Sequence, residues 1–397
     1  MNSVEIRPVR NSEGLRDFLA AARRAEGSNP QWIEQLHDEA RQIFDPKKSP
    51  FLEENDVQAF VAYRGGEPVG RIVASVDAAH QKKYGDRCGF FGFLESIEDP
   101  ACFAALFDAA ESFLRERGMA VSRGPFGLNI NGESGLLVEG FDEPHVTQTN
   151  HCPAYYSRAV EALGYEKAID LYAFISEVRN SNLPERVARE LAVARPNAPK
   201  IEIRTASYRT FFRDLSRLIE FYNDAWSENF WSLPMGPREA AFVGKMMFPI
   251  VKPKWVSFAY YKDELVAVVV LIPDVNEALR GLKGRLFPTG LPKLLWRIHV
   301  RGPRRARVIM AATAKKWRDT AVGVSALGQL MAKSVKDARD AGLQEVEYGW
   351  ILETNRAAIA PVVKLPARKS RVFRIYEKSL SAQPGASLRV AAAAGLQ

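Results

Sequence analysis

The sequence predicts an α/β (α+β) fold of two tandem domains, each a mixed, mainly antiparallel sheet flanked by helices, because one pattern is stated twice along its 397 residues. Residues 57–77, VQAFVAYRGGEPVGRIVASVD, and 255–275, WVSFAYYKDELVAVVVLIPDV, each read as strand, short polar turn and strand, which is an antiparallel hairpin. Skipping one glycine aligns Phe60 with Phe258, Tyr63 with Tyr261, Arg64 with Lys262, Glu67 with Glu264 and Val69 with Val266. Further on, 102–118 and 325–342 carry apolar residues at helical spacing, such as Leu327, Leu330, Met331 and Val335, and both end at glycine. A strand follows each, and an asparagine stands thirteen positions on: Asn131 after Gly118, Asn355 after Gly342.

The order expected in each half is helices, hairpin, strand, helix, strand, helix, strand. The first domain is expected over 1–177, a linker with a helical middle over 178–200, the second domain over 201–380, and a frayed tail over 381–397.

Composition excludes several classes. With 47% hydrophobic and 26% charged residues the chain is globular rather than disordered. No run approaches the ~20 apolar residues of a membrane span, and the N-terminus lacks the apolar core of a signal peptide, so a cytoplasmic protein is expected. Cys88, Cys102 and Cys152 are too few and too scattered for a disulfide framework or a zinc site, so no metal is expected. The net charge is +8, whereas the stretch between Glu277 and Asp319 carries twelve Lys and Arg and no carboxylate. The basicity is local and implies an anionic partner. A nucleic acid is not expected, since no recognisable nucleic-acid module accompanies the charge.

The segment WRDTAVGVSALGQLM, joining a strand to a helix, resembles the GNAT superfamily of acyl-CoA N-acyltransferases, whose motif Arg/Gln-x-x-Gly-x-Gly/Ala is matched by Arg318, Ala321 and Gly323. A small-residue turn lets backbone N–H groups at a helix start approach the CoA pyrophosphate, so the resemblance implies a cofactor loop over Arg318, Ala321, Val322, Gly323 and Val324. Ala321 departs from the usual first glycine. VEYGWILETNRAAI, 346–359, resembles the strand that splays from its neighbour in these folds; the resemblance gives Asn355 a CoA contact, and Glu353 is a candidate general base. At the corresponding place the first half has ESIEDP, acidic and without a glycine pair, so it is not expected to bind CoA and falls on the acceptor side.

The first half's distinctive loop is GPFGLNINGESGLLVEGFDEPH, 124–145, where Asn129, Asn131 and Glu133 alternate and can share one side. Glu133 is the leading candidate base, with His151 and Tyr156 nearby in sequence; a turn histidine and a packing aromatic are the alternative readings of those two. AYYSRAVEALGY resembles the helix and strand that close a GNAT domain. The second half opens with FYNDAWSENFWSLPM, 221–235, whose Trp226, Phe230 and Met235 suit an acyl chain or a long-chain amine, or else a core.

Together with HQKKYGDRCGFFGFLES, these segments resemble a group of bacterial two-GNAT proteins that includes bacterial ceramide synthase. The resemblance implies transfer of a fatty acyl group from acyl-CoA, or an acyl carrier protein thioester, to the amine of a sphingoid-type long-chain base. A soluble small amine as acceptor, and a non-catalytic lipid- or CoA-binding protein, are the alternatives. The stretch 281–310, GLKGRLFPTGLPKLLWRIHVRGPRRARVIM, lying mostly in an expected insertion at 280–306, discriminates between them. Phe287, Leu291, Leu294, Leu295 and Trp296 are expected to enter a headgroup boundary, with the cations drawn to anionic lipid at the inner face of the cytoplasmic membrane. A solvated basic loop with its apolar residues folded inward is the bland alternative.

Overall fold

The computed structural model describes residues 3–179, 181–193, 199–363 and 367–381; residues 180 and 194–198 of the expected linker and 382–397 of the expected tail lie outside them. The first half runs β1 (Val4–Pro8), α1 (Ser12–Glu26), α2 (His37–Ile43), α3 (Pro50–Glu54), β2 (Asp56–Arg64), β3 (Glu67–Val76), α4 (Ala78–Tyr84), β4 (Cys88–Ser96), α5 (Pro100–Glu116) and β5 (Val121–Gly124). A small hairpin, β6 (Phe126–Gly127) and β7 (Asn129–Ser134), and β8 (Leu136–Glu139) then precede α6 (Tyr155–Ala162) and β9 (Glu166–Glu177). After α7 (Leu183–Val193) come β10 (Glu202–Thr205), α8 (Phe211–Ala225), α9 (Pro237–Met247), β11 (Val256–Tyr261), β12 (Glu264–Pro273), α10 (Val275–Leu279) and α11 (Gly290–Leu295). The chain closes with β13 (Arg305–Thr313), α12 (Ala321–Asp340), β14 (Glu345–Leu352), α13 (Arg356–Val363) and β15 (Ala367–Ser379).

The expected order lacked β1 and β10. Each is a four- or five-residue edge strand whose only signal is its pairing, with β2 and β11 respectively. Two register details also differ from expectation. Both hairpin turns have two residues, Gly65–Gly66 and Lys262–Asp263, all at positive φ, so no glycine is skipped and Tyr63 corresponds to Tyr260 rather than Tyr261. The asparagine spacing is a coincidence: Asn131 lies on β7, whereas Asn355 accepts from the Ala358 N–H at 3.0 Å and starts α13.

The strands form one sheet in the order β1-β2-β3-β4-β5-β15-β9-β14-β13-β12-β11-β10, with β8 also on β15. The β4–β5 and β13–β14 neighbours are parallel and the other pairs of this sheet antiparallel. The last strand of each half therefore joins the other half's strands: β15 lies against β5, and β9 against β14. The sheet is completed only by this exchange. Helix α5 and the core around Phe103, Leu106 and Phe107 cover one face of the first half's strands, and α1 with Phe18 and Ala21 the other. In the second half α12 lies over Val266, Val269 and Leu271, while α8 packs beside Val268, Val270 and Met310. Burial of these faces, at about 25 cal/mol per Å² of apolar surface, is the main force holding the layers.

Candidate active site

In each half the parallel pair is short, and what happens beyond it differs. Strands β4 and β5 pair from Cys88 to Phe90; past that point the β6–β7 hairpin presses into the opening. A Cβ on Gly92 would sit 1.6 Å from the Phe126 carbonyl oxygen, and Phe91, Gly92, Gly124, Pro125 and Phe126 are all buried. The first split is plugged. Strands β13 and β14 pair from Arg305 to Val308 with Glu345 to Tyr348 and then part. Here Ile309 and Ala311 on one side, and Gly349, Trp350 and Ile351 on the other, keep accessible surface. The second split is open, with backbone groups unpaired across it.

The start of α12 stands at the end of β13. Thr320 caps it, its hydroxyl accepting from the Gly323 N–H at 3.1 Å, and Val324 donates to the Thr320 carbonyl at 3.0 Å. Among the described residues the N–H groups of Ala321 and Val322 have no acceptor, the usual state of a helix's first turn. Gly323 is required by close approach: a Cβ there would lie 1.9 Å from the Trp317 carbonyl oxygen. Val324 is exposed at 67%. Arg318 does not hang free; its guanidinium donates to the Ala225 carbonyl at 2.5 Å and faces Glu228 at 3.9 Å, which ties α8 to this loop.

Glu133 on β7 is exposed by surface area yet closely surrounded by protein, so it lines an open recess, a chamber accessible to solvent, rather than packed core. Burial pushes its carboxyl up to about 8, Glu39 and Glu95 raise it further, and Arg307 and Arg71 oppose the rise. Glu39, on α2, is likewise pushed by burial to about 7. Neither carboxylate has a hydrogen-bond or ion-pair partner among the described residues. The flanking cations are already committed: Arg71 to Glu95 at 2.5 Å, and Arg307 to Glu347 at 3.2 Å. Arg307 also links the chamber to the open split, since its Nε donates to the Gly349 carbonyl at 3.0 Å where β14 leaves β13, and its Nη1 to Thr147 and Gln148 carbonyls. Arg371 pairs with the same buried Glu347 and donates to the Pro144 carbonyl at 3.0 Å. Asp274 accepts from the Thr147 N–H and hydroxyl. These contacts clamp the loop that follows β8 onto the second half.

The other expected residues fall into three places. Asn129 accepts from the Asn131 N–H at 3.0 Å, while Asn131 accepts from the Tyr222 hydroxyl at 2.6 Å and reaches Glu239 at 3.5 Å, so β7 is joined to α8 and α9. Trp226 stacks edge-on against Tyr222 and lines a small cavity of about 130 Å³ with Asn223 and Leu233. Phe230 packs on Trp231 in the first half's core, and the Met235 backbone is held at both ends by Asn223.

Three candidate proton carriers are engaged elsewhere. His151 has both ring nitrogens in hydrogen bonds, one with Asn29 at 3.2 Å and one with the Phe141 carbonyl at 3.0 Å, and burial lowers its pKa. Tyr156 is fully buried, donating to Glu26 and accepting from the Ser96 N–H at 2.9 Å. Glu353 accepts from Lys167 at 2.8 Å and from the Asp170 N–H at 3.0 Å, which anchors the end of β14 to β9. As a possible ligand set, His80, Asp86 and Cys88 bring their donor atoms within 4.8 Å of one another, but His80 is hydrogen-bonded to Asp86 and Arg123 stands 3.5 Å from the same carboxylate, an arrangement suited to ion pairing.

No family model matches the chain. It is 36% identical over 374 residues, 94% of its length and 97% of the relative's, to the bacterial ceramide synthase of Caulobacter vibrioides. The chain belongs to the bacterial ceramide synthase family. A second relative, protein YghO of Escherichia coli, is 33% identical over 377 residues, 94% of this chain and 95% of that one. Among solved structures, a tandem GNAT protein from the clavulanic acid biosynthesis pathway matches over 96% of this chain and all of its own with a TM-score of 0.58 at 13% identity. The GNAT protein of Sphaerobacter thermophilus matches over 97% of this chain and 98% of its own with a TM-score of 0.51 at 12% identity. The protein is thus an N-acyltransferase of tandem GNAT fold, which removes the non-catalytic reading.

Two segments on which the family resemblance rests prove to be one contact. Lys83 and Tyr84 of HQKKYG donate to the Ser232 carbonyl within 221–235, at 2.7 and 2.9 Å. Sequence reasoning missed Glu39, Arg307, Glu347 and Arg371, because nothing in HDEARQI or RARVIM marks a residue that becomes significant only when the halves meet.

Proposed function

We propose that the protein transfers a fatty acyl group from an acyl thioester, acyl-CoA or its acyl carrier protein equivalent, to the amine of a long-chain, sphingoid-type base. One observation carries this reading: the open split of β13 and β14 runs from the start of α12 to Arg307, beside the chamber that holds Glu133. The Ala321 and Val322 N–H groups, with the helix dipole behind them, would take the pyrophosphate, and the unpaired backbone of the split would hold the pantetheine arm. The plugged first split supports a donor site in the second half alone.

The amine enters the chamber as an ammonium, attracted by Glu39 and Glu133, two carboxylates without an ion-pair partner among the described residues. Glu133 takes one proton. The neutral nitrogen attacks the thioester carbonyl carbon, the C–S bond breaks, and the leaving thiolate takes up the second proton that the nitrogen sheds, giving an amide and a free thiol. Asn131, Tyr222 and Glu239 line the approach and suit the hydroxyls of such a base. An anionic membrane surface reached through 281–310 would supply the base. The test is incubation with acyl-CoA and a panel of amines, following thiol release and acylated product. One amide of a long-chain base per thiol is expected; acylation of short soluble amines alone would refute the lipid acceptor.

A further inference from the structure

The basic stretch is not one solvated loop. Leu294 and Ile298 turn inward with Val275 and Ala278, so Leu294 does not reach outward as its sequence position suggested. Arg280 donates to the Pro30 carbonyl, Arg297 to the Ala278 and Arg280 carbonyls, Arg305 pairs with Glu345, Lys315 with Glu228 and Lys316 with Glu264. Lys283, Arg285, Lys293, Arg301 and Arg304 have no side-chain partner among the described residues. The outward apolar groups are Phe287, Trp296 and Val300, at 70, 54 and 71% exposure.

These meet a second set from elsewhere in the chain. Tyr208, Phe212 and Phe248 are also exposed, with Phe212 stacked on Phe248 at 6.0 Å and Tyr208 edge-on to it at 5.9 Å. Tyr208, Phe248 and Pro249 form one side, and Leu295, Trp296 and Val300 the other, of an open groove of about 580 Å³. His299 donates to the Pro249 carbonyl at 2.9 Å and holds the two sides together. An apolar surface of this kind is unusual on a lone soluble protein.

We propose that the residues leading into α8, the end of α9 and the helical segment 290–301 form a single docking surface for an anionic lipid bilayer, with the tail of the long-chain base passing between it and the chamber. The proposal deepens the lipid-acceptor reading and rests on it. Charge complementarity selects the occupant: Arg209, Lys293 and Arg301, which border the aromatics in sequence, have no partner among the described residues, and neither 240–262 nor 278–318 contains a carboxylate. Asp214, the acid nearest to Phe212 in sequence, is buried and bonded to Thr210. Aromatic groups that enter the headgroup boundary inside a rim of cations match an anionic interface.

Helix α9 spans the distance. Glu239, near its start, reaches Asn131 beside the chamber, and Phe248 caps its far end in the groove. Nine residues at 1.5 Å each separate them by roughly 14 Å, about the thickness of one hydrocarbon leaflet. A base whose head is at Glu133 can keep its tail in the bilayer. The insertion also abuts the chamber's own wall, since the His37 N–H on α2 donates to the Gly284 carbonyl at 2.9 Å.

The experiment is flotation of the full chain with vesicles of phosphatidylcholine alone and of phosphatidylcholine with phosphatidylglycerol, at low and high salt. The wild type is expected to bind the anionic vesicles and release at high salt. Phe212→Glu with Phe248→Glu should lower that partition about tenfold or more, and Lys293→Gln with Arg301→Gln should lower it and flatten its salt dependence. Turnover of a short soluble amine by both variants should stay at the wild-type level, which also reports that they fold. Wild-type binding that survives both variants would overturn the docking surface while leaving the lipid reading intact. Indifference of the wild type to anionic vesicles would overturn both, and a concentration-dependent dimer abolished by the aromatic variant would assign the surface to a second copy instead.

Discussion

Replacing Glu133 with Gln keeps the side chain's shape in the chamber and removes its ability to accept a proton. With a carboxyl pushed up to about 8, only about one-tenth of the wild type carries the base form at pH 7, and each unit below costs a further factor of about ten. The wild type's kcat/KM should therefore rise through neutral pH and level off above about 8. The Gln variant should run about 10²–10⁴ lower and lack that limb, keeping only the limb due to the amine's own ionisation. The assay is thiol release from acyl-CoA with one long-chain amine across the pH range, with donor affinity measured in parallel. Burial raises the Glu133 pKa most and like-charge repulsion from Glu39 adds to it, so Glu39→Gln should move the limb toward acid, while the loss of one ammonium-attracting carboxylate raises the KM for the amine above pH 8 and leaves kcat there within a few-fold of the wild type. A Glu133→Gln enzyme with near-normal turnover and an unchanged limb would refute the base assignment.

Three further substitutions, one of them a control, test the surrounding structure. Gly323→Ala puts a Cβ against the Trp317 carbonyl, so it should displace the start of α12, lower stability by about 1–3 kcal/mol and raise the KM for acyl-CoA about tenfold or more, read by denaturant melts and donor titration. Glu347→Ala strips the buried carboxylate from Arg307 and Arg371 and should cost about 3–5 kcal/mol in the same melts, whereas Glu98→Ala, on the exposed first-half loop, should change neither stability nor donor affinity.

The two hairpins, the long helices and the helix that starts on small residues at 321 were legible because each is written in local periodicity and turn chemistry. The exchange of β9 and β15 was not, since a strand's own alternation says nothing about which neighbour it will choose. The same limit applies within the site. Glu133 stood out by its place in a long loop, but Glu39 sits on a seven-residue helix between ordinary polar neighbours, and only the fold brings it near Glu133. His151, Tyr156 and Glu353 looked reactive by residue type, yet their hydrogen bonds are spent on Asn29, Glu26 and Lys167. In the basic stretch, composition revealed the charge but not which half of it the protein consumes internally.

The most direct measurement is a crystal structure with a bisubstrate analogue in which CoA is joined through an acyl group to a long-chain amine. The pyrophosphate is expected on the Ala321 and Val322 amides, the pantetheine in the split of β13 and β14, and the transferred nitrogen within hydrogen-bond reach, about 3 Å, of Glu133. An analogue seated in the first half, or a nitrogen remote from Glu133 in the second, would contradict this placement.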